Sequence, residues 1–85
     1  MKLDKAFQER YHRRHGLIER IDYVFTRTVT LDGKRYKQGA VFFSVEKSKE
    51  GGWSFLGRHF NSIQGAKKEA RRYCNQAATH LDADS

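Results

Sequence analysis

Apolar residues near the start of the chain recur at every fourth position. Leu3, Phe7 and Tyr11 have this spacing, which predicts an amphipathic helix of about three turns over residues 3–15. Gly16 then supplies a residue that readily takes the left-handed conformation at a helix end. The amino-terminal segment is therefore predicted to be helical.

The middle of the chain changes to a period of two, which is typical of half-buried strands. A first strand is predicted over residues 21–31, because its alternate positions are apolar and rich in β-branched and aromatic side chains. Asp32 and Gly33 predict a hairpin turn after it. The second strand is predicted at residues 40–46, AVFFSVE, and the third at residues 53–60, WSFLGRHF.

The last element is a second amphipathic helix, which is predicted to begin near Ser62 and to place its apolar residues at i, i+3, i+4 spacing. The order α-β-β-β-α predicts an α+β fold in which two helices pack on one face of a three-stranded antiparallel sheet. Adjacent residues of a strand point to opposite faces, so Phe42 is expected to leave the helix-covered face that holds Phe43. The expected core contains Phe7, Tyr11, Tyr23, Phe25, Phe43, Tyr73 and Ala77.

Length and charge limit the class of protein. The 85 residues predict one small basic domain, residues 1–81, followed by a short acidic tail, residues 82–85. The chain has no apolar run that could cross a membrane and no signal peptide, and its single Cys74 cannot form an internal disulfide, so we expect a cytoplasmic protein with no membrane partner. A formal net charge of +7 favours a negatively charged partner.

The cations are concentrated in three segments. The last predicted helix carries adjacent pairs one turn apart, which form either a solvated helix face or a surface that holds phosphates. The loop after the first strand and the end of the first predicted helix add two smaller groups. The candidate nucleic-acid contacts are Lys67, Lys68, Arg71, Arg72, Lys34, Arg35, Lys37, Arg13 and Arg14.

The element order and the segment KKEAR, which Ala77 and Ala78 follow in register, resemble the double-stranded RNA-binding domain. The last helix of that family opens with Lys-Lys-x-Ala-Lys. The resemblance implies that Lys67, Lys68 and Arg71 clamp phosphates across a major groove, while the first helix and the first loop contact the flanking minor grooves. It therefore implies duplex RNA ahead of DNA. The Gly-Pro-x-His motif of that family's first loop is replaced here by LDGKRYKQG.

A second resemblance comes from three strands followed by a helix, with FNSIQGAKKEA after the last strand. This order is similar to the AP2 and integrase amino-terminal DNA-binding domains, which lay an exposed sheet face into a major groove of DNA. That resemblance implies alternative sheet-face contacts from Arg27, Lys47, Trp53 and Arg58.

The sequence offers little for catalysis, because it contains no nucleophile elbow, phosphate loop or paired inward carboxylates. His12 and His15 share a face of the predicted helix, but no convergent ligand set accompanies them, so no metal or other cofactor is expected. We predict non-enzymatic binding of double-stranded nucleic acid, mainly through phosphates. The alternative is a small regulator or inhibitor, encoded by a phage or mobile element, that binds a host protein or nucleoprotein complex through its basic face. The oligomeric state stays open.

Overall fold

The computed structural model describes residues 1–82, so residues 83–85 of the predicted acidic tail lie outside the described part of the chain. The main sheet is antiparallel and has the strand order β1-β2-β5-β6-β7, while β3 and β4 form a separate two-stranded sheet. One helix, α1, packs on one face of the main sheet. The elements are β1 (Phe7–Arg14), β2 (Leu17–Phe25), β3 (Val29–Leu31), β4 (Lys34–Tyr36), β5 (Val41–Lys47), β6 (Trp53–Phe55), β7 (Arg58–Phe60) and α1 (Ile63–Ala78).

The predicted α-β-β-β-α fold is wrong, because the segment predicted as the first helix forms strand β1. Phe7 pairs with Phe25, and Tyr11 pairs with Ile21, so β1 and β2 are the two arms of an antiparallel hairpin. A spacing of four residues also keeps two side chains on one face of a strand, and the apolar pair therefore fits both structures. Pairing with a buried strand decided the outcome.

Two of the predicted strands are each divided by a turn. The segment 21–31 ends its first strand at Phe25 and resumes at Val29 in the smaller sheet. The segment 53–60 forms the short hairpin β6–β7, whose turn holds Leu56 and Gly57 at φ of 48° and 76°. Positive φ at two successive residues is the geometry of a tight hairpin turn. The main sheet therefore has five strands where three were predicted.

Phe42 does not leave the helix-covered face. Tyr23 pairs with Phe43, but the next residue, Val24, pairs with Val41, so Phe42 is an extra residue in β5. This β-bulge lets two adjacent side chains point to the same side of the sheet. The rings of Phe42 and Tyr73 of α1 are stacked with centroids 5.7 Å apart.

The predicted carboxy-terminal helix is present as α1. Its start is fixed by Ser62, whose side-chain oxygen accepts a hydrogen bond from the backbone N–H of Gly65 at 3.1 Å. Ala66, Ala70 and Cys74 are fully buried, so the side that packs on the sheet carries small residues and comes close to it. Three of the predicted core residues are not fully buried. Tyr11 and Tyr73 are exposed at the edge of the core, and Ala77 is half-buried.

Candidate nucleic-acid interface

The β1–β2 hairpin, residues 7–25, is called here the ribbon, and it extends beyond the rest of the sheet. Strand β2 pairs with β5 only from Arg20 to Val24, so the outer part of the ribbon has no third strand beside it. His15 and Gly16 form the turn, with φ of 52° and 78°. This is the geometry of a two-residue turn that joins two strands tightly.

The outer ribbon, residues 10–20, carries four arginines and two histidines but only one acid, Glu19. These seven side chains all belong to exposed residues. Alternation places Arg10 and Arg20 on the sheet face opposite α1, while Arg13 lies on the same side as α1. The ribbon therefore presents positive charge on both of its faces.

A buried carboxylate fixes the base of the ribbon on its open face. Asp22 is 7% exposed; its carboxylate lies 2.8 Å from His12 Nε2 and 2.9 Å from Arg20 Nε, and it accepts a hydrogen bond from the Ser44 hydroxyl. Burial alone would raise the pKa of Asp22, but the hydrogen bonds from Ser44 and His12 and the charge of Arg20 outweigh it and hold the pKa below its usual value. This network ties β1 and β2 to β5 through side chains.

Tyr11 connects the ribbon to helix α1. The Arg13 guanidinium lies 5.9 Å from the centre of the Tyr11 ring, and the Lys67 ammonium lies 5.2 Å from it. Lys68 lies beside Lys67 at a shallow surface cleft. The structure thus brings together cations from two of the groups predicted from the sequence. These are Lys67 and Lys68 of the helix and Arg13 near the end of the first segment.

Arg71, the third residue of the predicted phosphate clamp, already has a partner within the protein. Its Nη2 and Nε donate to the two oxygens of the Glu9 carboxylate at 2.7 and 3.0 Å, and its Nη1 donates to the Met1 carbonyl at 3.1 Å. The hydroxyl of buried Tyr23 donates to the same carboxylate at 2.6 Å. Burial would raise the pKa of Glu9, but the hydrogen bonds from Arg71 and Tyr23 hold it below its usual value. Arg71 therefore has a structural role.

The other helix candidate, Arg72, faces away from the ribbon. Its guanidinium lies 3.9 Å from Glu69, which is also 4.0 Å from Arg58. Arg58 in turn lies over the rings of Phe55 and Phe60. This group of charges, whose two arginines are exposed and whose Glu69 is half-buried, lies beside β7, the edge strand opposite the ribbon.

The structure does not gather the alternative sheet-face contacts on the open face. Trp53 is half-buried on the side covered by α1, and Lys47 is its cross-strand partner and shares that side. Arg27 lies in the turn between β2 and β3. The open face instead carries Gln8, Arg10, His12, Arg14 and Arg20.

The loop cluster lies at the other end of α1. Lys34, Arg35 and Lys37 belong to the β3–β4 hairpin, whose Leu31 forms a β-bridge with Leu81 just beyond α1. The Lys34 ammonium lies 5.0 Å from the centre of the Tyr36 ring, at a cleft of about 480 Å³ between this hairpin and α1. These three cations are therefore separate from the ribbon.

Sequence reasoning missed Arg10 as a candidate contact. The signal was present, because in FQERYHRR every second residue from Gln8 to Arg14 is polar or cationic, as expected for a strand with one solvated face. The prediction of a helix over this segment concealed it.

Comparison of the chain with models of known families, with characterised proteins and with solved structures found no match. Within residues 1–82, no helix is long and apolar enough to cross a membrane. The same part of the chain contains no group of three His, Cys, Asp or Glu side chains that could hold a metal ion.

Proposed function

We propose that the protein binds double-stranded nucleic acid without catalysis, by placing the ribbon in a groove of the duplex. The observation that carries this proposal is the charge of the outer ribbon, with four arginines on two faces and a single acid. A two-stranded β-ribbon fits a groove of duplex DNA, and the groove has a phosphate backbone on each side. Cations on both faces of the ribbon then contact both strands.

Lys67 and Lys68 extend this surface. Lys67 shares the Tyr11 ring with Arg13, so the first two turns of α1 approach the same duplex as the ribbon. Among residues 1–82, no acid lies within ion-pair distance of Lys67, Lys68, Arg10, Arg13 or Arg14. These five cations are the proposed phosphate contacts.

The ribbon favours DNA over RNA as the duplex. The expectation of RNA came from the resemblance to the double-stranded RNA-binding domain, whose first helix contacts a minor groove, and this fold has a strand in place of that helix. The major groove of A-form RNA is too deep and narrow for side chains to read, whereas β-ribbons bind B-DNA in either groove. Most of the proposed contacts go to phosphates, so we propose little sequence preference. A nucleic-acid partner also supports a cytoplasmic location as part of this proposal.

Titration of the purified protein against duplex DNA, duplex RNA and single strands at several salt concentrations tests this function. Five phosphate contacts predict that the logarithm of the binding constant falls with the logarithm of salt concentration with a slope of about −4 to −5. The double variant Arg13→Ala with Arg14→Ala is expected to reduce the magnitude of that slope by about 2.

The matched control is Arg35→Ala with Lys37→Ala, which removes the same charge from the other hairpin. It should leave the salt slope unchanged. If both double variants weaken binding equally, net charge and not the ribbon is responsible. Absence of binding to every nucleic acid at about 50 mM salt would refute the proposal and would favour the alternative partner, an acidic surface of a host protein or nucleoprotein complex.

A further inference from the structure

Leu17 is an exposed aliphatic side chain at the end of the ribbon. It is 63% exposed and pairs with Arg14 directly behind the His15–Gly16 turn. The neighbouring apolar residue, Ile18, turns to the opposite side and packs against the core. Leu17 therefore contributes little to the core and is the outermost apolar group of a basic ribbon.

From this placement, and resting on the proposed function, we propose that Leu17 is a wedge that enters between adjacent base pairs and bends the duplex. This places the ribbon in the minor groove, because proteins that bind that groove insert single apolar side chains in this way, and the partly unstacked step kinks the duplex toward the major groove. Arg13 and Arg14 precede the turn on the partner strand, so they would reach the phosphates that flank the opened step. The ligand of Leu17 is thus a base-pair step of a DNA duplex.

The construction of the ribbon suits a wedge. The turn uses two residues with positive φ, which closes the hairpin without a longer loop. At the base of the ribbon, the Asp22 carboxylate holds His12 and Arg20. Because the ribbon is organised before binding, little conformational entropy is lost when the tip enters the duplex.

A lipid surface is the other partner that a basic tip with an apolar residue would suit, but the structure favours the base step. Interfacial anchoring needs a broad apolar face together with cations, and the ribbon tip offers one exposed leucine. A wedge between bases needs only a single side chain.

The test measures bending and binding together. A duplex of about 30 base pairs, with a fluorescent donor and acceptor at its ends, should show increased energy transfer when the wild-type protein binds. Leu17→Ala should bind with the same salt slope, and with affinity reduced by no more than about tenfold, but leave the duplex straight. Leu17→Met should retain the bend because it keeps a long apolar side chain.

A nicked duplex supplies a second readout, since a nick lowers the cost of opening a step. Wild-type protein should bind a duplex with a central nick about five- to tenfold more tightly than the intact duplex, and Leu17→Ala should bind both equally. The matched control is Leu56→Ala, which truncates a leucine that is 57% exposed in the β6–β7 turn, next to the opposite edge of the sheet. It should bend and discriminate like the wild type.

Three outcomes would overturn the wedge. If wild-type protein binds duplex DNA with a steep salt dependence but leaves it straight, or if Leu17→Ala bends it equally, the wedge is refuted while the proposed function stands. If binding to vesicles of anionic phospholipid is lost in Leu17→Ala while DNA bending persists, Leu17 serves a membrane. If the wild type binds no duplex, the proposed function and the wedge fail together.

Discussion

Replacing Arg71 with alanine should destabilise the protein, although Arg71 lies in the most cationic stretch of the helix. Its guanidinium makes a bidentate contact with Glu9, a residue 62 positions away in the sequence, at 2.7 and 3.0 Å. The side chain of Glu9 is 10% exposed and that of Arg71 is 29% exposed. The substitution would leave the Glu9 carboxylate in this half-enclosed place with only neutral partners, the Tyr23 hydroxyl at 2.6 Å and the Tyr11 hydroxyl at 3.4 Å.

The size of the effect follows from this partial burial. Removing one partner of a fully buried ion pair costs about 3–5 kcal/mol, whereas exposed pairs contribute less than about 1 kcal/mol. Water reaches Arg71 on one side, so we expect a loss of about 2 kcal/mol from the free energy of unfolding. For a domain of this size that loss lowers the melting temperature by roughly 8–16 °C.

Thermal unfolding followed by circular dichroism at pH 7 measures this loss. Lys68→Ala is the control, because it removes an exposed cation from the same helix and should change the melting temperature by no more than about 2 °C. A double-mutant cycle with Glu9→Gln isolates the pair, and Arg71→Ala should cost much less when Glu9 is already Gln. If Arg71→Ala melts like Lys68→Ala, the pair has no structural role and Arg71 returns to the list of phosphate contacts.

Two further predictions concern pH and the backbone. The lowered pKa values of Glu9 and Asp22 stabilise the fold at neutral pH, and this contribution should be lost as pH falls below about 4.5 through their folded-state pKa values. Melting temperatures measured between pH 7 and 3 should therefore fall less steeply in Glu9→Gln than in the wild type. Parallel curves would contradict the lowered pKa of Glu9. Gly52→Ala should lower the free energy of unfolding by about 3 kcal/mol, because the φ of Gly52 is +76° and a Cβ there would collide with the Phe60 carbonyl. The control Gly51→Ala, at a residue with φ of +92° and open space around it, should lower it by about 1 kcal/mol. Equal losses in denaturant unfolding would show that the structure relieves the collision.

The elements that could be predicted from the sequence are those whose pattern allows one structure. Helix α1 keeps its periodicity over 16 residues, and a strand cannot reproduce that pattern. Strand β1 offered only Phe7 and Tyr11, and their spacing of four fits either structure. The deciding contact, Phe7 with Phe25, joins residues far apart in the sequence, so local pattern could not reveal it. The bulge at Phe42 was likewise decided by register across strands.

The residues of the candidate nucleic-acid interface were likewise predictable only where the local sequence pattern was sufficient. Lys67 and Lys68 were found because adjacent cations on a helix are visible in the sequence, and they lie beside the ribbon. Arg71 looked equivalent to them, since nothing near it in the chain shows that Glu9 is its partner. Arg10 was missed because its position on a solvated sheet face depends on β1 being a strand.

The location of the acids, more than the number of cations, makes the ribbon the candidate surface. Glu9 is bound by Arg71, Asp22 by His12 and Arg20, and Glu69 lies near Arg58 and Arg72, so these carboxylates are compensated near or within the folded body. The outer ribbon, in contrast, has three arginines, Arg10, Arg13 and Arg14, with no acid within ion-pair distance among residues 1–82. Uncompensated cations on a protruding element attract a polyanion at longer range than paired ones, because no nearby carboxylate cancels their field. The polyanion should therefore meet the ribbon before it meets the rest of the surface, and the association rate should fall with salt more steeply in the wild type than in Arg13→Ala with Arg14→Ala.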